Sequence, residues 1–557
     1  MVGFALTHCT LTAVANPPKC TALGPMAEWL RRGLQILARR FDSGSGLHSP
    51  CNGSARETRA VGFHPPPRHG IRETMTDVNQ VKSVIDELCE IYDGSVENLR
   101  SALARYVKTG AKPTAEDRSK GCFAYPELRL RYERERAEPA PARAFARLNQ
   151  RGTYASTIAN PTLFRDYLRG QLEQLVADYD VEISVRRSNS EIPYAYVLDT
   201  SGIDLADVSP SELSRWFPSN ELVNIGDEVA DGTFASSYGG ARPLSIFDGP
   251  RTDFSLARLK HYTGTPPEDF QHFVLFTNYV RYVDEFVRFS IDRLRDKDSG
   301  FVGLSTPGEL FERGELNDAE AQIAAGSWRR YQMPAYHLMR PDRTGITLVN
   351  IGVGPANAKT ICDHVAVLRP EVWLMIGHCG GLRPSQSIGD YVLAHAYLRD
   401  DHVLDSQLAV EIPIPAIAEV QTALFEAAMA VTGEDEDDVK KRLRTGTVVT
   451  TDDRNWELQF TRSARRFNQS RAVAIDMESA TVAAQGYRFR VPYGTFLCVS
   501  DKPLHGELKL PGQANAFYER AISQHLRIGI ETLEILKREG DALHSRKLRS
   551  FDEPPLR

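Results

Sequence analysis

The sequence is poor in the features that mark membrane proteins, disulfide-rich proteins and zinc proteins. No apolar run in its 557 residues is long enough to cross a bilayer. The eight cysteines show no CxxC spacing, so neither a metal site nor a disulfide framework is indicated. The net charge of −6 gives no general attraction to nucleic acid. We therefore expect a cytoplasmic protein with reduced thiols that binds neither nucleic acid nor a membrane.

The first 74 residues differ in character from the rest of the chain. They hold nine basic and four acidic residues, three of the eight cysteines, and many Pro and Gly. Only "MAEWLRRGLQILARRF" has helical periodicity, and a basic amphipathic targeting helix is one interpretation of it. The disorder-prone stretches that follow favour another, in which translation starts at Met75 and residues 1–74 are an upstream extension.

Residues 75–300 show mixed helix and strand signals and predict an α+β domain. Two helices are expected after Met75, separated by a break at Gly94 and Ser95. "VEISV" alternates like a half-buried strand, and the aromatic-rich residues 273–289 suggest a strand that runs into a helix. Residues 301–335 are expected to form a linker or a long surface loop.

From residue 346 onward, uniformly apolar strands alternate with helical stretches. This pattern predicts a mainly parallel sheet covered on both faces, over a domain that spans residues 336–545 and is followed by a tail at 546–557. Ligands bind such sheets beyond the carboxyl ends of the strands. The strands are expected at 346–354, 372–381, 390–398, 445–451, 472–476 and 493–501.

Each of these strands ends in a short motif. The turn "GVGPANAK" (352–359) has glycines that let the backbone approach a ligand and a helix start that offers N–H groups to an anion. The loop "GHCGGLR" (377–383) places His378 and Arg383 beside glycines, although a core histidine is the simpler interpretation. In "NYVRYVDEF", Arg281 either reaches an anionic ligand or is a solvated charge.

Two carboxylates at strand ends are the strongest candidates for catalysis. Asp501 follows an apolar strand, whose surroundings would favour a protonated acid that can donate its proton. In "AIDMESA", Asp476 could cap a helix, and Glu478 lies in the first turn, where the helix dipole favours a charged carboxylate. A charged Glu478 would accept hydrogen bonds from a vicinal diol. Each acid alone is as readily a cap as a catalyst, but together they favour catalysis.

These motifs resemble the nucleoside phosphorylase/nucleosidase superfamily and, within it, the bacterial AMP nucleosidases. The similarity lies in "LVNIGVGPANAKTICDH", "WLMIGHCGGLR", "TGTVVTTDDRNWE", "SDKPLHGELKLPGQAN", "RYVDEF" and "DFSLARLKHYTGTP", and it runs from about residue 76 to the C-terminus. The resemblance implies a C-terminal three-layer nucleoside-phosphorylase-like domain with a mainly parallel or mixed sheet, behind a distinct, regulatory α+β domain.

The resemblance also implies a reaction and a site. AMP and water would give adenine and ribose 5-phosphate, with Asp501 as the leaving-group acid and Glu478 on the ribose diol. No cofactor would be required for the chemistry, Mg-ATP would act as an allosteric activator, and the protein would be a homohexamer. Substrate contacts are expected from Met477, Gly352, Gly354, Asn357, His378, Gly380, Arg383, Asp453, Trp456 and Arg281, with Lys359 and Arg399 as further candidates for the 5′-phosphate.

One departure from the phosphorylase pattern bears on the nucleophile. Phosphorylase relatives carry arginines where this chain has Asn357 and Met375. Without them the grip on inorganic phosphate is lost, which favours hydrolysis. The alternatives are a purine nucleoside phosphorylase and a nucleotide sensor without turnover.

Overall fold

The computed structural model describes residues 75–133, 145, 148, 150–198, 203, 208–235, 240–314, 316–507, 513–543, 548–550 and 552–557. The predicted extension over residues 1–74 lies outside these ranges. None of the described helices combines the length and the apolar character needed to cross a bilayer. The helices are α1 (Met75–Thr109), α2 (Ala115–Ser119), α3 (Arg165–Asp178), α4 (Pro210–Trp216), α5 (Gly249–Thr263), α6 (Val280–Arg295), α7 (Ala319–Ala325), α8 (Pro355–Val365), α9 (Ala418–Thr432), α10 (Glu436–Arg442), α11 (Phe460–Ser470), α12 (Ser479–Phe489) and α13 (Gln513–Glu539).

A four-stranded sheet and α1 form the first part of the described chain. The central strand of this sheet pairs antiparallel with both of its neighbours, and its buried face packs against α1. The strand order is β3-β1-β2-β4, with β1 at Ala124–Tyr132, β2 at Gly152–Thr157, β3 at Val181–Glu191 and β4 at Arg242–Pro243.

Helix α1 continues through Gly94, so the predicted break at Gly94 and Ser95 is wrong. A glycine inside a helix costs only about 1 kcal/mol. Packing on both sides of it offsets this cost, since Leu88 and Leu99 are fully buried. Ser95 is also buried, and its hydroxyl accepts a hydrogen bond from Arg187 at 3.1 Å.

A ten-stranded mixed sheet forms the larger part of the protein. The order is β13-β12-β11-β14-β10-β5-β9-β8-β6-β7, and β13 also pairs with the end of β10, so that five strands close into a small barrel. The six strands predicted after residue 346 are all present. The ranges are β5 (Phe273–Thr277), β6 (Gly303–Thr306), β7 (Glu309–Glu312), β8 (Ala335–Met339), β9 (Ile346–Asn350), β10 (Val372–Gly381), β11 (Tyr391–Asp400), β12 (Leu443–Thr451), β13 (Ala474–Asp476) and β14 (Tyr493–Asp501).

The structure corrects two predicted boundaries. Strand β5 lies between β10 and β9, in the middle of the large sheet, although the sequence pattern places its residues in the preceding domain. The linker predicted over residues 301–335 is also wrong, because β6, β7 and α7 lie within it. The charged residues of β7 face outward while Phe311 points into the core, which hides the strand signal.

Helices pack on the central strands β10 and β14 as two groups. One group contains α12, which pairs with α8, and the other contains α13, which packs on α6 and α9. This arrangement gives the three-layer α/β architecture that the motifs predicted. Phe276 of β5 and Trp373 of β10 are fully buried with ring centroids 5.8 Å apart.

The core runs without interruption from α1 and the small sheet into the large sheet. The predicted C-terminal tail joins it, since Leu556 is buried and Glu553 forms a buried ion pair with Arg490 at 2.7 Å. The N-terminal part is therefore packed against the large sheet and is not separated from it by a linker.

Helix α12 approaches β14 closely at Gly486. A Cβ added there would stand 2.5 Å from Cδ1 of Tyr493 and 2.8 Å from the carbonyl oxygen of Val491. We expect Gly486→Ala to lower the free energy of unfolding by about 1–3 kcal/mol in urea, the usual cost of overpacking. Gly94→Ala is the control, because no atom lies within 4 Å of its added Cβ. It should be neutral or slightly stabilising, and equal stabilities of the two variants would contradict the close approach.

Candidate active site

A cavity of about 300 Å³ opens where six strands of the large sheet end. Strands β5, β9, β10, β12, β13 and β14 each supply their last residues, or the residues that follow, to its wall. This is the position expected for a ligand site in an α/β sheet. Seven of the residues predicted to form the site line it, namely His378, Gly380, Asp453, Trp456, Met477, Glu478 and Asp501.

The Glu478 carboxylate is fully buried and is held by two donors from distant parts of the chain. The backbone N–H of Gly354 donates to Oε1 at 2.6 Å, and the side-chain amide of Asn278 donates to Oε2 at 2.8 Å. The first donor belongs to the glycine turn after β9, and the second follows β5 directly. Both oxygens are thus fixed in position at the cavity wall.

Burial raises the pKa of Glu478 to about 8, and the nearby Asp476 carboxyl adds to the rise. Burial therefore acts against the predicted effect of the N-terminus of α12, which favours the charged form of this group. The helix dipole contributes about 1 kcal/mol at most sites. Complete removal of a carboxylate from water, beside a second acid, outweighs that contribution.

Asp476 has a structural role that is distinct from that of Glu478. Its carboxylate accepts the Ser479 N–H at 2.9 Å at the start of α12 and the Thr450 hydroxyl at 2.6 Å. The Thr450 hydroxyl in turn accepts the Ala480 N–H at 2.8 Å. Asp476 therefore caps the helix and ties it to β12, as the structural interpretation of "AIDMESA" predicted. Glu478 lines the cavity, and its contact with a ligand stays a prediction.

Asp501 ends β14 on the same cavity wall. It lies in register with Gly380 of β10, which pairs on its other side with Ile475 of β13. Neighbouring strands are about 4.8 Å apart, so the backbones that carry Asp501 and Ile475 stand roughly 10 Å apart across Gly380. The Ser500 hydroxyl donates a hydrogen bond to Asp501 at 2.5 Å. This spacing leaves room for a ligand between the two acidic segments.

Aromatic rings form another part of the wall. His378 packs against Tyr279 with ring centroids 5.1 Å apart and against Tyr282 at 5.6 Å. Trp456 is mostly buried and packs edge-on against Phe467. Flat apolar surfaces of this kind suit a heterocyclic ring.

Most of the cations predicted to bind the substrate do not line the cavity. Arg399 is buried against the carbonyl oxygens of Leu408 and Ala409, and Lys359 forms an ion pair with Asp363 at 2.7 Å. The lining also excludes Gly352, Asn357, Arg383 and Arg281, although Arg281 lies two positions after the wall residue Tyr279, at the start of α6. Gly354 lies outside the lining and donates its N–H to Glu478.

Asn278, Tyr279 and Arg454 are among the wall residues that were not predicted from the sequence. Asn278 and Tyr279 follow β5, which the sequence pattern places in the preceding domain. Arg454 is exposed at the cavity, and its guanidinium has no ion-pair partner among the described residues. Its position between two predicted site residues, Asp453 and Trp456, could have indicated from the sequence that it lies at the site.

Comparison with known proteins shows the family of this chain. Residues 83–241 match the family model of the bacterial AMP nucleoside phosphorylase N-terminus, and residues 315–534 match that of the phosphorylase superfamily. AMP nucleosidase of Escherichia coli strain K12 is 60% identical over 473 residues, which cover 85% of this chain and 97% of that protein. This chain belongs to the AMP nucleosidase family.

Two further similarities are more distant. A guanosine phosphorylase of Halorubrum lacusprofundi is 27% identical over 223 residues, covering 39% of this chain and 86% of that protein. The crystal structure of AMP nucleosidase from Bacteroides thetaiotaomicron VPI-5482 is 25% identical with a TM-score of 0.38, covering 52% of this chain and 98% of that one. The nucleoside-phosphorylase-like fold class predicted from the sequence is confirmed.

The raised pKa of Glu478 predicts how this AMP nucleosidase family member responds to pH. Between the ordinary value of 4.5 and about 8, the folded protein keeps a proton that the unfolded chain releases. The contribution of Glu478 to the free energy of unfolding therefore falls as pH rises through this window, by at most about 1.4 kcal/mol per pH unit.

We expect Glu478→Gln to flatten the pH dependence of stability between pH 5 and about 8, measured by urea unfolding. The Asn278 amide can rotate to accept from the new amide, so the fold should tolerate the change. Glu457→Gln is the matched control, because Glu457 lines the cavity but is exposed. A pH profile of Glu478→Gln identical to that of the unaltered protein would refute the raised pKa.

Proposed function

We propose that this protein hydrolyses the N-glycosidic bond of AMP to adenine and ribose 5-phosphate. The proposal rests on family membership along nearly the whole described chain. The observation that carries it at the site is that Glu478 and Asp501 share the wall of one cavity. Cleavage of this bond needs both a proton for the departing purine and negative charge beside the ribose, and two such acids can supply them.

Asp501 is proposed as the acid that protonates the leaving group. Adenine departs poorly as an anion, and protonation or hydrogen bonding at its ring nitrogen N7 lowers that cost. General acids of this kind contribute ~10²–10⁴-fold to the rate. Asp501 ends β14 in a cavity whose wall also carries His378, Tyr279 and Trp456, so a base that packs on these rings would share the cavity with it.

Glu478 is proposed to hold the ribose diol. Its two oxygens already face donors at 2.6 and 2.8 Å, so each retains lone pairs for ribose hydroxyls. Its raised pKa does not oppose this role, because positive charge that develops on the ribose stabilises the ionised carboxylate beside it. The interaction therefore strengthens toward the transition state, as catalysis requires.

The composition of the wall supports water as the nucleophile. Met375 is fully buried within β10, and the Asn357 amide is directed at the Val353 carbonyl at 3.5 Å, so neither supplies a cation. Among the described residues that line the cavity, Arg454 is the only lysine or arginine. This guanidinium can bind the 5′-phosphate of AMP. An inorganic phosphate bound at the same time, as phosphorolysis requires, would have no guanidinium to pair with in the described wall.

Regulation and assembly are proposed on the resemblance alone. We propose that Mg-ATP activates the protein, that the chemistry needs no cofactor, and that the chain assembles as a homohexamer in the cytoplasm. Contacts of AMP with His378, Arg281 and Arg383 are also predicted from the resemblance alone.

The reaction is tested by incubation of the purified protein with AMP in buffer free of phosphate, with and without Mg-ATP. We expect equimolar adenine and ribose 5-phosphate, resolved by chromatography. Release of adenine that depended on added phosphate and gave ribose 1,5-bisphosphate would identify a phosphorylase instead. No release under any condition would favour a sensor without turnover.

The role of Asp501 is tested by Asp501→Asn, which keeps the shape of the side chain but removes the proton donor. We expect kcat to fall by ~10²–10⁴-fold, while the Kd for AMP, measured by calorimetry, changes little. Asp452→Asn, at an exposed position outside the cavity wall, should retain activity. An equal loss of binding and turnover in Asp501→Asn would count against its role as the acid.

A further inference from the structure

The helices α6 and α13 are joined by a buried hydrogen bond that the proposed chemistry does not use. The Tyr282 hydroxyl and Nδ1 of His525 lie 2.7 Å apart, and both side chains are fully buried. The two residues stand 243 positions apart in the sequence. A buried bond of this kind is costly to break from one side, because the remaining partner is left without water.

The His525 end of this bond is held firmly against the large sheet. Its ring stacks on that of Phe496 in β14, with centroids 4.9 Å apart, and on that of Tyr391 in β11 at 5.7 Å. Burial, with a smaller contribution from the nearby His378, lowers the pKa of His525 to about 3. His525 is therefore neutral at physiological pH, and it offers Tyr282 a fixed, uncharged partner.

The Tyr282 end of the bond reaches the wall of the candidate active site. The Tyr282 ring packs against His378 of that wall, with centroids 5.6 Å apart. The backbone N–H of Tyr282 donates to the carbonyl oxygen of Tyr279, another wall residue, at 3.1 Å. Directly before Tyr279 comes Asn278, whose amide donates to Glu478 at 2.8 Å. The first turn of α6 therefore connects the buried bond to the group that holds Glu478.

The start of α6 has no local cap to fix it. Tyr279 occupies the position before the helix, and its side chain makes no capping hydrogen bond. Val280, the first residue of the helix, is exposed, and Tyr282 is the first residue that is buried. Helices in proteins owe most of their stability to the packing of such buried positions. The place of this helix start is therefore expected to depend on Tyr282.

The Asn278 side chain fits closely against β10. A Cβ added at Gly377 would stand 2.9 Å from the Asn278 side-chain oxygen. Hydrogen bonds weaken steeply once distance and angle leave their narrow preferred range. A shift of the start of α6 by a fraction of an ångström would therefore loosen the bond from Asn278 to Glu478.

We propose that Tyr282 and His525 are positioning residues for the candidate active site, because their hydrogen bond sets the place of Asn278 and hence that of the Glu478 carboxylate. Neither is among the described residues that line the cavity, so neither would touch the substrate. The effect on catalysis rests on the proposed hydrolysis of AMP, whereas the effect on Glu478 itself does not.

The kinetic test begins with Tyr282→Phe, which keeps the ring against His378 and removes the hydroxyl. We expect kcat for AMP to fall by about 10- to 100-fold, as a small misplacement at a reacting centre does. KM should change little, because the contact of Glu478 with the ribose is proposed to strengthen toward the transition state. A kcat equal to that of the unaltered protein would overturn the proposal.

Two variants of His525 separate the hydrogen bond from the packing of the ring. His525→Leu should lower kcat as Tyr282→Phe does, and the double variant should be no worse than either, since all three lack the same bond. His525→Asn places an amide near the position of Nδ1, so it should recover most of the loss seen in His525→Leu. Equal kcat in these two variants would mean that packing alone matters. If His525→Leu fails to fold, Tyr282→Phe still decides the question.

A second measurement does not need turnover. Burial raises the pKa of Glu478 to about 8, and the hydrogen bond from Asn278 opposes part of that rise. A looser bond in Tyr282→Phe should raise the pKa further. The contribution of Glu478 to the free energy of unfolding should then keep falling as pH rises above about 8.

Urea unfolding of Tyr282→Phe, with and without Glu478→Gln, isolates that contribution. The same pH window in Tyr282→Phe and in the unaltered protein would count against the proposal. A window that extends to higher pH, in a protein that releases no adenine from AMP, would uphold the placement of Glu478 and refute the proposed hydrolysis.

His337 of β8 provides the matched control for damage to the core. It is fully buried, burial lowers its pKa to about 3, and its ring nitrogens lie 2.8 Å from the hydroxyls of Thr347 and Thr265. None of these three residues is in the described lining of the cavity.

We expect His337→Leu and Thr265→Val to lower stability but to leave kcat and the pH window of Glu478 unchanged. Thr265→Val removes a hydroxyl that is bonded to a buried histidine, as Tyr282→Phe does. A loss of kcat in these controls as large as in Tyr282→Phe would show a general effect of core damage and would overturn the proposal.

Discussion

The buried carboxylate of Glu478 is the constraint around which the catalytic end of the sheet is built. A carboxylate removed from water is costly unless its oxygens are hydrogen-bonded. Here the two donors come from Asn278 and Gly354, at the ends of β5 and β9, while Glu478 itself follows β13. Three strand ends must therefore meet at one point, which fixes the wall of the cavity on that side.

The helices that position Glu478 also connect it to the N-terminal part of the protein. Helix α8 begins beside Gly354 and helix α12 begins at Glu478, and the two pack along their length. Toward their far ends, Asp363 of α8 lies 3.7 Å from the guanidinium of Arg488 of α12. Arg488 also forms a buried ion pair with Asp231 of the N-terminal part at 2.6 Å. Displacement of the segment that carries Asp231 would therefore disturb both helices that position Glu478.

The sequence predicted the large sheet well because its strands are uniformly apolar. Buried strands of this type give a signal that does not depend on the rest of the fold, and β10 and β14 appear with the predicted bounds. Strand β7 is hidden in the sequence because three of its four residues face outward, and β5 falls on the wrong side of a predicted boundary because its partners lie later in the chain.

At the site, residue types were visible in the sequence but their surroundings were not. The acids Glu478 and Asp501 could be selected because each follows a strand. Asn278 could not, since nothing near it in sequence indicates a bond to a residue 200 positions away. The raised pKa of Glu478 could not be predicted for a related reason. Its place at a helix start is local information, but its burial depends on elements that only the fold brings together.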